Sequence, residues 1–338
     1  MHTSPIPGLR RFVKRAVFAL VPLGLVLCLF ELSLRCGWPG TELLAGLDRA
    51  RQRAGSRNVV VLGDSFSLDQ ERSLGRLLRQ HLESRGIACL SYARAGAGPI
   101  EYRDTLKLFG PVARPRLVML NYYAGNDLTD TRYEMGRSTG IGAHVDELLA
   151  GCHLLAFVRE RRRNLAHATA IPTLRQEARA LHGNVRGDAI NPWLVPLARE
   201  HRDYQMDNVL VDSPAAREAW RRNRAILRSI RDLCLTWDGK LLITVIPAAV
   251  QVDPDRTRFY RSLGFEVDQG RFGRSTVPQD LMAEFCKEER IAFHDLLPEL
   301  SARRAVGLFL PDDDHFDPAG HEAAFRSIRS FLERERLL

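Results

Sequence analysis

One apolar run ends abruptly in a glycine, an aspartate and a serine, and it constrains the fold more than any other feature of the chain. Residues 59–62 are valines and a leucine, and Gly63-Asp64-Ser65 follows them directly. A short run rich in β-branched residues predicts a buried strand of a parallel sheet. Open α/β sheets place their chemistry just beyond the carboxyl ends of such strands, where helix N-termini favour negative charge. Ser65 is therefore a candidate nucleophile, with a plain helix cap as the alternative.

Similar apolar runs alternate with segments of helical periodicity along most of the chain. A long helix is expected over residues 214–237 and a last one over residues 318–335. Strand–helix alternation of this kind implies a parallel sheet that helices cover on both faces. The sequence therefore predicts an α/β protein with a three-layer α/β/α architecture and a central parallel sheet of about five strands. The strands are expected at residues 57–62, 87–92, 116–121, 241–246 and 291–293.

Acyl transfer needs a base and a group that orients it, in addition to a nucleophile. The segment 308–321 contains His315, which is the natural base, and Asp312 three residues before it. At this spacing the carboxylate can hold the imidazole only on a turn or a first helical turn, and two nearby prolines favour such irregular backbone. The sequence therefore predicts a triad of Ser65, His315 and Asp312.

The donors that would hold an oxyanion are expected at the ends of the first three strands. They are the backbone N–H of Ser65, the backbone N–H of Gly96 in the loop after the second strand, and the side-chain amide of Asn126. Glycine suits this role because it permits a close approach of the backbone and unusual φ angles. Taken alone, an asparagine here is typical of a helix cap and a glycine is typical of a loop. Only the conjunction of the motifs favours an active site, in which loss of one oxyanion donor costs about 2.7–4 kcal/mol of barrier.

The four segments that contain Ser65, Gly96, Asn126 and His315, in this order along the chain, resemble the SGNH (GDSL-like) hydrolase family. That family is defined by a serine in Gly-Asp-Ser, a glycine, an asparagine in Gly-x-Asn-Asp and a histidine in Asp-x-x-His. All four residues have counterparts within residues 57–130 and 220–335, with Gly125 directly before Asn126 rather than two residues before it. The resemblance implies a flavodoxin-like three-layer fold and an ester hydrolase with Ser65, His315 and Asp312 as its triad. It also implies an oxyanion hole formed by Ser65, Gly96 and Asn126.

No metal, no cofactor and no nucleic-acid partner is expected. His315 and His321 lack the His-Glu-x-x-His spacing of a zinc helix, and the acidic residues 312–317 lack the pattern of a calcium loop. The formal charge of +8 is spread over scattered basic residues without an aromatic-basic recognition motif. The six cysteines show no paired metal spacing, and a disulfide between any of them cannot be read from the sequence.

The chain is expected to divide into an anchor, a linker and one catalytic domain. Basic residues precede an apolar stretch, which predicts a cytoplasmic N-terminus over residues 1–15 and an uncleaved transmembrane signal-anchor over residues 16–34. Because no small-x-small cleavage site follows, a cleaved signal peptide is the less favoured alternative. Residues 35–56 have the character of a linker, and residues 57–338 form the hydrolase-like domain outside the cytoplasm of a bacterial cell. Residues 131–213 depart from the strand–helix alternation and are expected to form a lid or substrate platform.

A more specific resemblance concerns the substrate. The motif Tyr122-Tyr123-Ala124-Gly125-Asn126-Asp127, together with an anchor and a long insertion, is similar to SGNH proteins of bacterial envelope polysaccharide modification. The resemblance implies a serine esterase that acts on acyl esters, above all acetyl esters, of an envelope or extracellular glycan. Two alternatives are an O-acetyltransferase that uses the same residues and a non-catalytic glycan-binding protein on the same scaffold. The sequence identifies no protein partner.

Overall fold

The structure is a computed structural model of the chain. It describes residues 7–35, 46, 49–52, 58–131, 152–181, 191, 193–311 and 313–338.

Five strands form one parallel sheet with the order β2-β1-β3-β4-β5. The chain passes from the interior strand β1 to the edge strand β2 and then returns to the other side of β1 with β3, so the strand order reverses between β1 and β3. In open α/β sheets, ligands bind beyond the carboxyl ends of the strands at such a reversal. The strands are β1 (Asn58–Gly63), β2 (Ala88–Ser91), β3 (Leu117–Tyr123), β4 (Lys240–Ile246) and β5 (Ala292–Asp295).

Helices surround this sheet, and the sequence periodicity located two of the longer ones that follow β1. Residues 214–237 and 318–335 were expected to be helical, and the corresponding helices differ from these bounds by no more than two residues. The described helices are α1 (Pro7–Arg35), α2 (Leu74–Ser84), α3 (Pro99–Ala113), α4 (His153–Leu181), α5 (Leu194–Glu200), α6 (Tyr204–Leu210), α7 (Pro214–Leu235), α8 (Ala249–Val252), α9 (Thr257–Ser262), α10 (Gln269–Phe272), α11 (Val277–Glu289), α12 (Leu297–Ala302) and α13 (Pro318–Arg334).

The two faces of the sheet are covered by different helices. In β1, Val59 and Val61 belong to the core on one face, while Val60 and Leu62 belong to the core on the other. The first face packs against α2, α12 and α13, and the second packs against α3, α7 and α11. Full burial of one such aliphatic side chain contributes about 1.5–3 kcal/mol, which explains why residues 59–62 are all apolar. The predicted three-layer α/β/α architecture with five parallel strands is therefore confirmed.

A smaller apolar cluster lies beyond the carboxyl end of β4. It joins α5 and α6 to α8, α9 and α10, with Tyr260 and Phe272 fully buried at its centre. Both α5 and α6 lie within the insertion predicted over residues 131–213. Residues 132–151, 182–190 and 192 lie outside the described residues, so the expected lid stays a prediction.

The N-terminal helix α1 covers the segment that was expected to be a membrane anchor. Apolar side chains along its middle are exposed, among them Phe18 and Leu20. Near its end, Leu34 packs against Leu108 of α3, and Glu31 accepts a hydrogen bond from the backbone N–H of Leu154 at the start of α4. Most of the expected linker lies outside the described residues. Within the described part of the chain, no helix combines the length and the apolar character required of a membrane span.

Candidate active site

A tight turn at the end of β1 presents Ser65. The side chain of Asp64, which is fully buried, accepts a hydrogen bond from the backbone N–H of Phe66 at 3.0 Å and so caps the 3-10 turn Ser65–Ser67. Gly63 ends the strand, and a Cβ at that position would collide with the hydroxyl of Ser67. The turn itself therefore requires Gly63 and Asp64, and it leaves Ser65 partly exposed.

The hydroxyl of Ser65 meets the imidazole of His315, a residue 250 positions further along the chain. His315 Nε2 lies 2.7 Å from Ser65 Oγ. The His315 ring stacks on the ring of Phe66 with centroids 5.1 Å apart, which holds the imidazole above the turn. The structure therefore brings the predicted nucleophile and the predicted base into hydrogen-bond contact.

His315 lies on a short looped segment, residues 308–317, between the end of the 3-10 turn at 304–306 and α13. An antiparallel bridge between Phe309 and Phe316 closes this segment, and the backbone N–H of Leu310 donates to the carbonyl of His315 at 2.9 Å. Beyond the bridge, the side chain of Asp317 caps α13 by accepting from the backbone N–H of Gly320. We call residues 308–317 the base loop.

The carboxylate that orients His315 in the structure is that of Asp313. Asp313 Oδ1 lies 2.7 Å from His315 Nδ1, and it also accepts from the backbone N–H of His315 at 3.2 Å. A spacing of two residues allows both contacts from one carboxylate in a turn. The sequence analysis assigned this role to Asp312, which lies outside the described residues. The Asp-x-x-His spacing points to the first of the three aspartates at 312–314, while the structure places the carboxylate of the second against the imidazole.

A second carboxyl group, which the sequence analysis did not single out, lies on the same side of the imidazole. Asp314 is 8% exposed, and its Oδ1 lies 3.5 Å from His315 Nδ1. The side-chain amide of Asn191, in the segment before α5, donates to the same oxygen at 3.5 Å. A contact 123 residues apart in the chain leaves no local pattern by which the sequence could have revealed it.

The electrostatics of this group favour a charged imidazole in the resting protein. Burial alone would lower the pKa of His315, but the hydrogen bond to Asp313 and the charges of Asp314 and Asp313 outweigh it and raise the pKa to about 9. For Asp313, burial tends to raise the pKa, but the hydrogen bond from His315 outweighs burial and holds the pKa of Asp313 below its usual range. Burial raises the pKa of Asp314 to about 7. A protonated His315 paired with an ionised Asp313 is thus the favoured arrangement near neutral pH.

The predicted oxyanion donors lie at the ends of three adjacent strands. Gly96 follows β2 with φ +65°, and the backbone N–H of Arg94 in the same loop donates to the carbonyl of Gly63 at 3.0 Å. Asn126 follows β3, and its amide nitrogen lies 3.5 Å from Asp64 Oδ2. The carboxylate of Asp64 therefore contacts both the turn of Ser65 and the side chain of Asn126, so the position of one depends on the other.

Two fully buried carboxyl groups, those of Asp64 and Asp127, lie next to the predicted oxyanion donors. Burial is the main cause that raises the pKa of Asp64 to about 6 and the pKa of Asp127 well above its usual range. The hydroxyl of Tyr102 lies 2.9 Å from the carbonyl of Ala97 and 3.1 Å from Asp127 Oδ1. Because this hydroxyl has a single proton, a protonated Asp127 satisfies both contacts. A neutral Asp127 also avoids a negative field where an oxyanion would form.

The donor atoms of Asp313, Asp314 and His315 lie within 4.8 Å of one another, close enough to hold a cation. Both nitrogens of His315 already have partners, however, since Nδ1 contacts Asp313 and Nε2 contacts Ser65. This chain of hydroxyl, imidazole and carboxylate is an arrangement for moving a proton from the serine.

Comparison with known proteins shows similarity of fold only. No family model matches the chain, and no curated protein matches it by sequence. Solved structures that are similar include TesA, with 12% identity and a TM-score of 0.42 over 83% of this chain and 100% of that one. A GDSL-like lipase from Bacteroides thetaiotaomicron has 12% identity and a TM-score of 0.38 over 82% and 89% of the two chains. An acetyl xylan esterase from Geobacillus stearothermophilus has 10% identity and a TM-score of 0.42 over 82% and 95%.

Proposed function

We propose that the protein is a serine esterase of the SGNH type that hydrolyses acyl esters. The observation that carries the proposal is the chain of contacts from Ser65 Oγ to His315 Nε2 and from His315 Nδ1 to Asp313 Oδ1, each 2.7 Å long. A serine hydroxyl that has both a base and an orienting carboxylate is an activated nucleophile. Ser65 is also accessible, because it lies partly exposed at the carboxyl edge of the sheet.

In the proposed reaction, Ser65 Oγ attacks the ester carbonyl carbon while His315 Nε2 takes the hydroxyl proton. The resulting oxyanion is held by the backbone N–H groups of Ser65 and Gly96 and by the amide of Asn126. The intermediate collapses to an acyl-serine, and the alcohol leaves with the proton from His315. Water then attacks the acyl-serine, gives its proton to His315, and releases the acid as the proton returns to Ser65 Oγ.

The proposed substrate is an acetyl ester on an envelope or extracellular glycan. It is supported by the similarity of the motif at residues 122–127 to SGNH proteins of envelope polysaccharide modification. The same acyl-serine can be resolved by a sugar hydroxyl instead of water, which would make the protein an O-acetyltransferase. The partition of acetate between water and sugar therefore decides between the two activities.

The proposal includes an anchored location, with residues 16–34 in the cell membrane and the site outside the cytoplasm. Basic residues before an apolar segment of this length support it, as do the exposed apolar side chains of α1. Alkaline phosphatase fused to the C-terminus is then expected to be active, because that reporter works only outside the cytoplasm. An inactive phosphatase fusion, together with fluorescence from a second fusion whose C-terminal reporter fluoresces only in the cytoplasm, would contradict the location.

The function is tested by incubating the full-length protein with an O-acetylated polysaccharide and measuring released acetate and acetate transferred to an added sugar acceptor. We expect release to dominate and to fall by at least about 10⁴-fold in Ser65→Ala. The matched control is Ser330→Ala, an exposed serine on α13, which should retain full activity. Folded wild-type protein that neither releases nor transfers acetate would contradict the substrate, while transfer exceeding release would assign the transferase activity.

A further inference from the structure

The base loop contains two carbonyl groups near its tip that no regular element accounts for. Leu310 and Asp313 flank the tip, and the N–H of Asp313 lies 3.4 Å from the carbonyl of Leu310. The contact at the carbonyl of Asp313 is partly buried and that at the carbonyl of Leu310 is exposed, and a loop this short supplies few donors of its own. Their common partner is the guanidinium of Arg256, since Arg256 Nη2 donates to the carbonyl of Leu310 at 2.6 Å and also to the carbonyl of Asp313.

Arg256 is itself held rigidly on the side facing the base loop. It ends the 3-10 turn Pro254–Arg256, which the carboxylate of Asp253 caps by accepting from the backbone N–H of Asp255 at 3.1 Å. Its guanidinium lies 5.6 Å from the ring centroid of Phe309 and 5.9 Å from that of Phe259. Two aromatic faces at these distances attract the guanidinium through cation–π interactions, and a lysine ammonium lacks its planar set of donors.

These contacts converge on the residue that orients the base. The peptide carbonyl held by Arg256 belongs to Asp313, whose carboxylate contacts His315 Nδ1. A shift of that peptide moves the carboxylate and then the imidazole relative to Ser65. Misplacement of a reacting group by about 1 Å is enough to cost on the order of 100-fold in rate.

We propose that Arg256 is the positioning residue of the base loop, which holds Asp313 and His315 in register with Ser65 without touching the substrate. This inference rests on the proposed esterase function. It also gives the apolar cluster beyond β4 a structural role. Arg256 directly precedes α9, and Tyr260 of α9 is fully buried in that cluster. The cluster thereby supports the active site from outside the sheet.

The test compares full-length Arg256→Ala and Arg256→Lys with the matched control Arg258→Ala, which changes an exposed arginine on α9. The readouts are kcat and KM for 4-nitrophenyl acetate, with and without guanidinium chloride at a concentration below that which unfolds the protein. We expect kcat of Arg256→Ala to fall about 10- to 100-fold while KM changes less than about twofold. Added guanidinium should restore part of kcat in that variant alone, and Arg256→Lys should lie between it and the wild type.

A kcat of Arg256→Ala within about threefold of the wild type, or a loss that guanidinium leaves unrelieved, overturns the inference. If Arg256→Ala loses its circular dichroism signal, Arg256→Lys decides by the same threefold limit on kcat. Wild-type protein without any esterase activity would instead contradict the proposed function. An active wild type with unaffected variants contradicts the role of Arg256 alone.

Discussion

The two halves of the site are held in different ways. The nucleophile half of the proposed site consists of Ser65, Gly96 and Asn126, and each of these residues lies in the segment that follows one of three adjacent strands of the sheet. The base half consists of Asp313 and His315 on the base loop, which joins the sheet through no ladder and depends on one bridge and on side-chain contacts. The backbone ladders of the sheet therefore fix the strands that lead to the nucleophile half, with the side chain of Asp64 capping the turn of Ser65, while the base loop depends on one bridge and on side-chain contacts such as that of Arg256.

This difference separates two kinds of vulnerability. The backbone ladders that hold the strands do not depend on the side chains of Ser65 and Asn126, so removal of either side chain should act on the chemistry itself. Contacts such as that of Arg256 can be removed by a single substitution, so the base half should also be sensitive to residues that never meet the substrate. The predictions below test this contrast in order of decreasing effect.

Removal of the central residue of either half should have the largest effect. Ser65→Ala and His315→Ala should each lower kcat by about 10⁴-fold or more, and the double variant should lose little beyond either single change, because the two residues act as one unit. Steady-state kinetics of the three variants measure this. Losses that multiply in the double variant would show that the halves act independently.

The orienting carboxylate should come next. Asp313→Asn keeps the shape but favours the wrong imidazole tautomer, so kcat should fall by about 10⁴-fold. Asp312→Asn is the matched control and should change kcat by less than about threefold. The reverse outcome would return the role to Asp312, the residue that the Asp-x-x-His spacing predicts.

Loss of the oxyanion donor on the nucleophile half should have an intermediate effect. Asn126→Ala should lower kcat about 100- to 1000-fold with little change of KM, because the donor acts mainly on the charge of the transition state. Asn191→Ala, which removes the contact with Asp314 on the base half, serves for comparison and should cost less than about tenfold. A larger loss of kcat in Asn191→Ala than in Asn126→Ala would show that the contact from the insertion matters more for catalysis than the oxyanion donor does.

The smallest expected effect is a displaced pH profile. Because His315 must be neutral to accept the proton and its pKa is raised to about 9, kcat/KM should rise with pH through that value and fall about tenfold per unit below it. In Asp313→Asn the rise should move to lower pH, since the hydrogen bond that raises the pKa of His315 is weakened. A rise that stays in place in the variant would contradict the coupling of the two residues.

The same raised pKa has the opposite sign for stability. A group whose pKa is higher in the folded than in the unfolded protein stabilises the fold fully below the unfolded value, which is about 6.5 for histidine. That contribution is lost as the pH rises through about 9. Activity should therefore increase over the pH range in which the contribution of His315 to stability declines, and thermal unfolding at several pH values measures the second trend.

The contrast between the halves also explains what the sequence could predict. Buried parallel strands such as β1 and β4 are continuous apolar runs, so their positions follow from composition. The serine at the end of β1 could be named because Gly63 and Asp64 are required by its turn. The helices α8 and α9 went unassigned because four to six residues are too few to show a helical period.

The base half was harder to predict for a physical reason. His315 could be named from its motif, but three consecutive aspartates precede it in the sequence, and the backbone path places the carboxylate of Asp313 against the ring. Arg256 acts on backbone carbonyls 54 and 57 residues away, and carbonyls leave no trace in the sequence. Contacts of this kind become visible only once the chain has folded.

The central claim is that Ser65 is activated by His315, and labelling with a fluorophosphonate probe tests it most directly. Full-length wild-type protein should be labelled, with the adduct on the peptide that contains Ser65. Labelling should be lost in Ser65→Ala, slowed strongly in His315→Ala, and unchanged in the control Ser330→Ala. Folded wild-type protein that remains unlabelled, or a label that persists in Ser65→Ala, would contradict the account.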